Sequence, residues 1–356
     1  MKLVTAIVLA AVLALCQTSP SADGDLLDVR DSQDEPVKLI FDTDIGGDID
    51  DAFALALIHR FADRGQCELL GVTLTTANEQ AAKFVAAENA VFGRPEIPIG
   101  LPAKGTVYDS YPTKVLEQKN ADGTPQYPVP DGYKTEDPVA LLRRLLANAD
   151  DRSVVIAQVG YSTNLANLLD SPGDGVSPLT GKELAAKKVR LLSIMGGGFA
   201  VDPSLAEYGK MREWNIVSDI PAAQKLAREW PGEIVYSGSE IGNRILMSTV
   251  SLNRDYRTPR AKFLHDAYYW WAESDVPGLG FNHERPTWDL TSVFFVVRPE
   301  KERGYYRLSE PGAVSFSEEG VASFTPDPNG KRRVFLVDRE AAIRVREAFV
   351  NLCAEP

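Results

Sequence analysis

Five aspartates lie within ten residues in the segment FDTDIGGDIDDAFAL, which spans residues 41–55. They are Asp42, Asp44, Asp48, Asp50 and Asp51. An apolar run precedes the segment and another follows it, so the carboxylates are expected where a strand ends and a helix begins. Crowded like charges repel and raise one another's pKa values unless a positive charge holds them. A hard divalent cation such as Ca²⁺ takes oxygen ligands of this kind, so the pattern predicts a metal site with a chemical role.

Two simpler interpretations compete with a metal centre of this type. Acidic residues at a helix N-terminus complement the helix dipole, but one or two carboxylates are enough for that purpose. A calcium-binding EF-hand loop that began at Asp42 would have Phe53 at its twelfth position, where a bidentate Glu is needed. The segment before the loop also has the pattern of a strand rather than a helix. We therefore reject the EF-hand.

Other polar clusters border apolar runs further along the chain. They are Thr75–Asn78, Gly160–Asn164, Met195–Gly198, Glu213–Asn215 and the pair Trp288 and Asp289. Each is a weak signal alone, because Asn and Gly are common in turns. Ligands of open α/β sheets bind beyond the carboxyl ends of the strands, where residues from several strands meet. Together the clusters predict a polar pocket beside the aspartates.

Short apolar runs alternate with helical patterns through most of the chain. The predicted strands are Val37–Phe41, Leu69–Leu74, Val154–Val159, Val189–Met195 and Ile234–Tyr236, and the clearest helices are Asp51–Arg64, Pro138–Ala149 and Pro221–Trp230. This alternation predicts a Rossmann-like α/β fold, a mostly parallel sheet with helices on both faces. The tail predicts antiparallel strands at Gly312–Phe316, Val321–Phe324 and Val334–Val337, followed by a helix at Arg339–Cys353. The polar segments 103–136 and 170–188 are predicted to be loops within one catalytic domain, residues 37–356.

Length and charge narrow the class of protein. The chain has 356 residues, of which 44% are hydrophobic, enough for one large α/β domain. A net charge of -12 and a pI near 4.9 argue against a nucleic-acid polymer as partner, since binding one needs a basic surface. Small neutral substrates are compatible with that charge. Outside the N-terminal segment only Cys67 and Cys353 remain, so one disulfide is conceivable, and no spacing of Cys or His indicates zinc.

The first residues have the pattern of a secretion signal. Lys2 and the apolar run Leu3–Leu15 predict a signal peptide over residues 1–22, because the run is too short for a comfortable membrane span. Lipid attachment at Cys16 is the alternative, but Leu15 fits that signal poorly. The acidic residues 23–36 predict a flexible leader. The protein is therefore expected to be exported, to the periplasm or the extracellular space.

Taken in order, these motifs resemble those of the inosine–uridine preferring nucleoside hydrolases. That family carries an Asp-rich turn after its first strand, a strand-end Asn, a Gly-x-x-x-Asn turn, a Met-Gly-Gly segment, a Glu-aromatic-Asn segment and a late Asp. The matching residues here are Asp42-Thr43-Asp44 with Asp50-Asp51, Asn78, Gly160 to Asn164, Met195-Gly196-Gly197, Glu213-Trp214-Asn215 and Asp289. The resemblance covers residues 37–297, and its first motif and its Glu-aromatic-Asn segment are the most specific.

The resemblance implies the nucleoside hydrolase fold and calcium-dependent hydrolysis of the N-glycosidic bond of ribonucleosides, which yields ribose and a free base. It implies a Ca²⁺ ion held by Asp44, Asp51, Asp289 and the backbone carbonyl of Val159. It also implies ribose recognition by Asp50, Asn78, Glu213 and Asn215, and an activated water from which Asp44 can take a proton as general base. The resemblance allows a purine base to stack on Trp288. Carboxylates around the sugar suit this reaction, because positive charge builds on the ring as the bond breaks. A homo-oligomer is left open.

Three features depart from the family pattern. Ile45 stands where the family has Pro after the second Asp, and the turn is longer by two residues, Gly47 and Asp48. Trp288 stands where many members carry a His that helps the base to leave. Indole cannot protonate a departing base, so the alternative acids are His283 or a tyrosine, Tyr268 or Tyr269.

Two other functions compete with nucleoside hydrolysis. Asp42-Thr43-Asp44 also fits the nucleophile turn of a phosphatase of the haloacid dehalogenase type, but Ile45-Gly46 does not continue that motif. An exported nucleoside- or ribose-binding protein that has lost catalysis is the non-enzymatic alternative, and Trp288 favours it. Activity on nucleosides with and without a chelator separates the three.

Overall fold

The computed structural model describes residues 35–107, 111–201, 203–278, 280–281, 283–298 and 305–353. The predicted signal peptide, with Cys16, and the predicted leader up to residue 34 lie outside the described residues. Within these ranges, each helix is too short or too polar to cross a membrane.

The sheet strands are numbered along the chain. They are β1 (Val37–Thr43), β2 (Cys67–Leu74), β3 (Ile99–Gly100), β4 (Thr135–Glu136), β5 (Val154–Gln158), β6 (Val189–Met195), β7 (Ile234–Ser237), β8 (Leu246–Met247), β9 (Arg285–Pro286), β10 (Arg307–Leu308), β11 (Gly312–Phe316), β12 (Ala322–Pro326) and β13 (Arg332–Leu336). The main sheet has the order β12-β11-β13-β7-β6-β5-β1-β2-β3-β4, with β10 paired to β13. Strands β8 and β9 form a separate antiparallel pair.

Helices connect these strands and cover the sheet. They are α1 (Asp50–Asp63), α2 (Glu79–Val91), α3 (Tyr111–Leu116), α4 (Pro138–Asn148), α5 (Thr163–Asp170), α6 (Gly181–Lys188), α7 (Trp214–Ser218), α8 (Ile220–Glu229), α9 (Ser239–Gly242), α10 (Thr249–Asp255), α11 (Pro259–Asp275), α12 (Trp288–Val297) and α13 (Arg339–Cys353). Two short 3₁₀ helices, Pro203–Leu205 and Tyr208–Lys210, lie between β6 and α7.

The predicted α/β fold with a mostly parallel sheet is confirmed. Strands β4, β3, β2, β1, β5, β6, β7 and β13 run parallel to their neighbours, and β11 and β12 form the expected antiparallel pair. The last predicted strand of the tail plays a different part, since β13 extends the parallel sheet beside β7 and is antiparallel only to β10 and β11. The tail therefore completes the main sheet.

Parts of the two predicted loops are helical. Helix α3 lies within residues 103–136, and α6 lies within 170–188. Helix α6 begins with a capping box, in which Thr180 accepts from the Glu183 backbone and Glu183 accepts from the Thr180 backbone N–H. A capping box satisfies two N–H groups at a helix start, so it stabilises even a polar helix such as this one.

Two helices are buried in the core and carry acidic residues at their first turns. Residues of α1 are buried from Asp50 to Phe61, and those of α12 from Asp289 to Val297. Burial on all sides explains why apolar residues predominate on every face of both helices. Since the N-terminus of a helix favours negative charge, the two first turns are suited to hold carboxylates.

Both cysteines of the domain are free and buried, so the conceivable disulfide between Cys67 and Cys353 is absent. The Cys67 thiol donates to the backbone carbonyl of Ile58 over 3.3 Å. Burial raises the pKa of both thiols to about 12, which keeps them protonated and unreactive.

One amide side chain ties three strand ends together beneath the polar edge of the sheet. The Asn164 side chain donates to Asp42 Oδ1 at 2.8 Å and to the Leu74 carbonyl at 2.9 Å. Thr73 donates to the same Asp42 oxygen at 2.5 Å. Asn164 begins α5, directly after β5, whereas Asp42 and Leu74 belong to β1 and β2. The Gly-x-x-x-Asn turn thus fixes the ends of β1, β2 and β5.

We expect Asn164→Ala to lower the free energy of unfolding by about 2 kcal/mol, because it removes the amide donor to a buried carbonyl and one of the two donors to a buried carboxyl. Chemical denaturation of the two proteins measures this difference. Asn120→Ala is the matched control, since Asn120 also donates to a side chain and a carbonyl but lies on an exposed loop. Equal stability losses in both variants would contradict the structural role of Asn164.

Candidate active site

Four carboxylates converge at the carboxyl end of the parallel sheet. Asp44 follows β1, Asp50 and Asp51 begin α1, and Asp289 lies in the first turn of α12. All four line one cavity of about 390 Å³, a size suited to a small-molecule ligand. Asp50, Asp51 and Asp289 are 2%, 3% and 4% exposed, whereas Asp44 is only partly buried.

Side-chain oxygens of Asp50, Asp51 and Asp289 all lie within 4.8 Å of one another. Asp50 accepts a hydrogen bond from the Asp289 backbone N–H at 3.2 Å, and Asp51 accepts one from the Thr43 hydroxyl. Three carboxylates this close together mark a place that a cation fits.

Two effects together raise the pKa values of these four carboxyl groups. Burial is the larger cause and raises the pKa of Asp44, Asp50, Asp51 and Asp289. Repulsion from neighbouring carboxylates adds to it, from Glu213 on Asp44 and from Asp44 on the other three. The charged forms therefore need a positive partner, and a divalent cation supplies one.

A close approach of two backbones brings Val159 to the cavity. Gly160 packs so tightly on the end of β1 that an added Cβ would lie 2.5 Å from the Asp44 backbone nitrogen. The Val159 N–H donates to the Asp42 carbonyl at 2.7 Å, and its own carbonyl accepts from the Asn215 side chain at 2.7 Å. Glycine at position 160 is thus required where the Asp-rich turn meets β5.

Glu213 and Asn215 lie at the start of α7 rather than directly after a strand of the sheet. Glu213 caps this helix and accepts from the backbone N–H groups of Asn215 at 2.9 Å and of Ile216 and Gly197 at 3.1 Å. Burial raises its pKa, while these three donors favour its charged form. Both side chains line the cavity beside the carboxylates.

Another part of the cavity lining is aromatic and carries a cation. Trp271, Trp288 and Arg285 line it, and the Arg285 guanidinium carbon lies 4.6 Å from the ring centroid of Trp271 and 4.9 Å from that of Trp288. Arg285 is paired with Asp48, one of the two extra residues of the Asp-rich turn. Burial lowers the pKa of Arg285 to about 10, so it stays charged at neutral pH.

The structure does not bring every predicted site residue to the cavity. Asn78 is absent from the described residues that line it, because its side-chain oxygen caps α2 and accepts from the Gln80 and Ala81 backbones. The three candidate acids, His283, Tyr268 and Tyr269, are also absent from the described lining. The Tyr268 hydroxyl instead donates to the His283 carbonyl at 2.9 Å.

Sequence reasoning missed Trp271 and Arg285, the partner of Asp48. The available signal was the insertion of an extra Asp into the turn, since a partly buried acid among other carboxylates needs a positive partner. The order of the chain does not reveal that β9 and α11 face this turn, because 237 residues separate Asp48 from Arg285.

We expect the metal-free protein to become less stable as pH rises. Unfolded aspartates ionise near pH ~4, whereas the folded carboxyls keep protons to higher pH, so the native state binds more protons between these limits. Stability that is present at low pH is therefore lost as pH rises through the raised folded values. Thermal unfolding in excess chelator should give a Tm at about pH 8 that is lower than that at about pH 5 by more than ~2 °C.

Asp51→Asn should flatten this pH dependence, because it removes one of the crowded charges. Asp131→Asn, on an exposed loop, is the control and should leave the slope as it is. A Tm that rises with pH in chelator would show that the carboxylates are already compensated within the protein.

Comparison with known proteins identifies the family of this chain and solved structures that share its fold. The model of the inosine-uridine preferring nucleoside hydrolases matches residues 39–345. No curated protein sequence matches the chain.

Solved structures resemble it over most of its length. A plant nucleoside hydrolase is 22% identical to this chain with a TM-score of 0.64, and the match covers 90% of this chain and 100% of the plant protein. A purine-preferring ribonucleoside hydrolase from Gardnerella vaginalis is 19% identical with a TM-score of 0.64, covering 89% and 99%. An inosine-uridine preferring nucleoside hydrolase from Bacillus anthracis is 17% identical with a TM-score of 0.61, covering 88% and 99%. These likenesses show the fold, and the family match shows that this chain belongs to the inosine-uridine preferring nucleoside hydrolases.

Proposed function

We propose that this protein is a calcium-dependent ribonucleoside hydrolase that cleaves the N-glycosidic bond and releases ribose and a free base. The observation that carries the proposal is the buried group of carboxylates at the carboxyl end of the sheet, in a chain that belongs to a nucleoside hydrolase family. The purine-preferring and inosine-uridine preferring relatives that share this fold support ribonucleosides as the substrate class.

The donor set fits a hard cation. Asp50, Asp51 and Asp289 would hold the ion, and Asp44 and the Val159 carbonyl line the same cavity. All these donors are oxygen atoms, which suits Ca²⁺, and neither sulfur nor imidazole lies among them. When bound, the ion offsets the charge of the carboxylates, orients sugar hydroxyls and lowers the pKa of water. The resemblance implied Asp44, Asp51, Asp289 and the Val159 carbonyl as ligands. In the structure the three carboxylates that lie closest together include Asp50 in place of Asp44.

Asp44 is the proposed general base. It is the least buried of the four carboxylates, and its pKa is raised by burial and by Glu213. A base poised in this way can take a proton from water during the reaction and later return it to solvent. The surrounding carboxylates stabilise the positive charge that develops on the sugar as its bond to the base breaks.

Glu213 and Asn215, together with Asp50, are the proposed ribose-binding residues. Their backbone and side-chain contacts hold Glu213 and Asn215 in place before the sugar binds. No described residue donates to the Asn215 side-chain oxygen, which leaves this atom for a sugar hydroxyl. A preorganised grip of this kind positions the sugar and selects against sugars that lack the hydroxyls. Trp288 is proposed to stack on the base.

We expect the protein to hydrolyse inosine and p-nitrophenyl riboside, and removal of bound metal with a chelator to lower both activities by at least about 100-fold. Added Ca²⁺ should restore them. Asp51→Ala should lose both the activity and the stoichiometric calcium, measured by elemental analysis of the purified protein. Asp131→Ala, on an exposed loop, should keep both.

Other outcomes of this assay separate the competing functions. Full activity after chelation would reject a metal-dependent mechanism. Ribose binding without cleavage of either substrate would favour a binding protein that has lost catalysis. Hydrolysis of p-nitrophenyl phosphate in place of the ribosides would favour the phosphatase.

A further inference from the structure

One residue that lines the cavity, Arg285, has no role in the proposed function. Once the sugar lies on the carboxylates, the base would lie against other residues of the lining. These include Trp271, Trp288 and Arg285, together with Met211, Trp214, Ser239 and Asp275. Arg285 is the only positively charged residue among the described residues of the lining. Neither histidine nor tyrosine is found among those same residues, so a departing base would meet a guanidinium as the only strong donor.

Arg285 lines the cavity, and Asp48 engages only part of its guanidinium. Its Nε donates to Asp48 Oδ1 at 3.0 Å, and its Nη2 pairs with Asp48 Oδ2. This bidentate pair uses the edge formed by Nε and Nη2. No acceptor within the described part of the chain lies in hydrogen-bond reach of Nη1. Two parallel donors therefore remain, one on Nη1 and the second hydrogen of Nη2.

The segment that carries Arg285 is held firmly in place. Arg285 pairs with Met247 across the β8–β9 ladder, and the Thr287 hydroxyl donates to the Ile245 carbonyl at 2.7 Å. The Trp288 indole N–H donates to the Ser239 carbonyl at 3.2 Å, which occupies its only donor. Trp288 also packs directly on Gly242, where an added Cβ would lie 2.3 Å from the ring. The Arg285 guanidinium and the Trp288 indole are thus preorganised.

Two parallel donors recognise two adjacent acceptors in the same plane. A 6-oxopurine presents N7 and O6 as such a pair, and arginine is the residue that matches it best. Adenine presents an amino donor in place of O6, so one of the two guanidinium donors would face another donor. A pyrimidine has no equivalent of the N7 acceptor. Complementarity at this edge therefore selects among bases.

We infer that Arg285 is the specificity-determining and leaving-group residue of this site, and that it donates hydrogen bonds to N7 and O6 of a 6-oxopurine. The preferred substrates would be inosine and guanosine. This inference rests on the proposed function. Trp271 and Trp288 contribute apolar surface beside the base, and Asp48 orients the guanidinium.

The reaction balances with water as the only second substrate. The water oxygen bonds to the C1′ carbon of the ribose and gives one proton to Asp44. The bond between C1′ and N9 breaks, and its electron pair remains on the purine. Arg285 stabilises this negative charge, which spreads over the ring to N7 and O6. The base then takes a proton from solvent, and Asp44 returns its proton to solvent.

The test compares kcat/KM for inosine, adenosine and p-nitrophenyl riboside in the calcium-loaded protein. The wild type should prefer inosine to adenosine on the order of 10-fold or more, the discrimination expected of a bidentate contact. Arg285→Met should lower kcat/KM for inosine by about the same factor and bring it close to that for adenosine. It should leave p-nitrophenyl riboside nearly unchanged, because that leaving group needs no donor.

Two further variants keep this test sharp. Arg285→Lys retains the charge but not the parallel donors, so it should recover part of the inosine rate without recovering the preference over adenosine. Arg260→Met is the matched control, because Arg260 also lies over an aromatic ring and pairs with an Asp, but outside the cavity. This variant should leave kcat/KM unchanged for all three substrates. Inhibition of the wild type by free hypoxanthine should exceed that by adenine, which tests the contact without any substitution.

Equal kcat/KM for inosine and adenosine in the wild type would overturn the inference. It would also be overturned if Arg285→Met lowered kcat/KM by the same factor for all three substrates, p-nitrophenyl riboside included. Both results leave the proposed hydrolase intact. A wild type that cleaves none of the three, in contrast, would reject the proposed function itself.

Discussion

Mutual repulsion among buried carboxylates is the constraint on which the rest of this structure depends. Asp44, Asp50, Asp51 and Asp289 line one small cavity; burial raises the pKa of each, and repulsion from Asp44 raises the pKa of the other three further. Such a cluster destabilises a folded chain unless a cation enters it. Two helix N-termini and the Thr43 hydroxyl provide part of the compensation, and the remainder is the positive charge that the site would bind.

The surrounding architecture serves to keep these groups together despite that repulsion. Asn164 joins the ends of three strands, and Gly160 allows the Asp-rich turn to lie directly against β5. Glu213 is fixed by three backbone donors before any ligand arrives. The carboxylates and the aromatic side chains Trp271 and Trp288 thus line one cavity.

The sequence predicts the fold well because its strongest signals are periodic and local. Alternating apolar runs placed five strands of the sheet, and the family model matches the chain over residues 39–345. The prediction for Asn78 did not anticipate that its oxygen would cap α2, because capping and ligand binding favour the same residue types. Arg285 and Trp271 were missed since contacts between distant segments leave no local pattern. The parallel pairing of β13 with β7 was missed for the same reason.

The most direct test of the central claim is a crystal structure of the protein soaked with Ca²⁺ and ribose, recorded with anomalous data. The account predicts one calcium peak between Asp50, Asp51 and Asp289, with the ribose in the cavity between this ion and Trp288. A calcium peak at another place on the molecule, or a ribose bound away from these carboxylates, would contradict it.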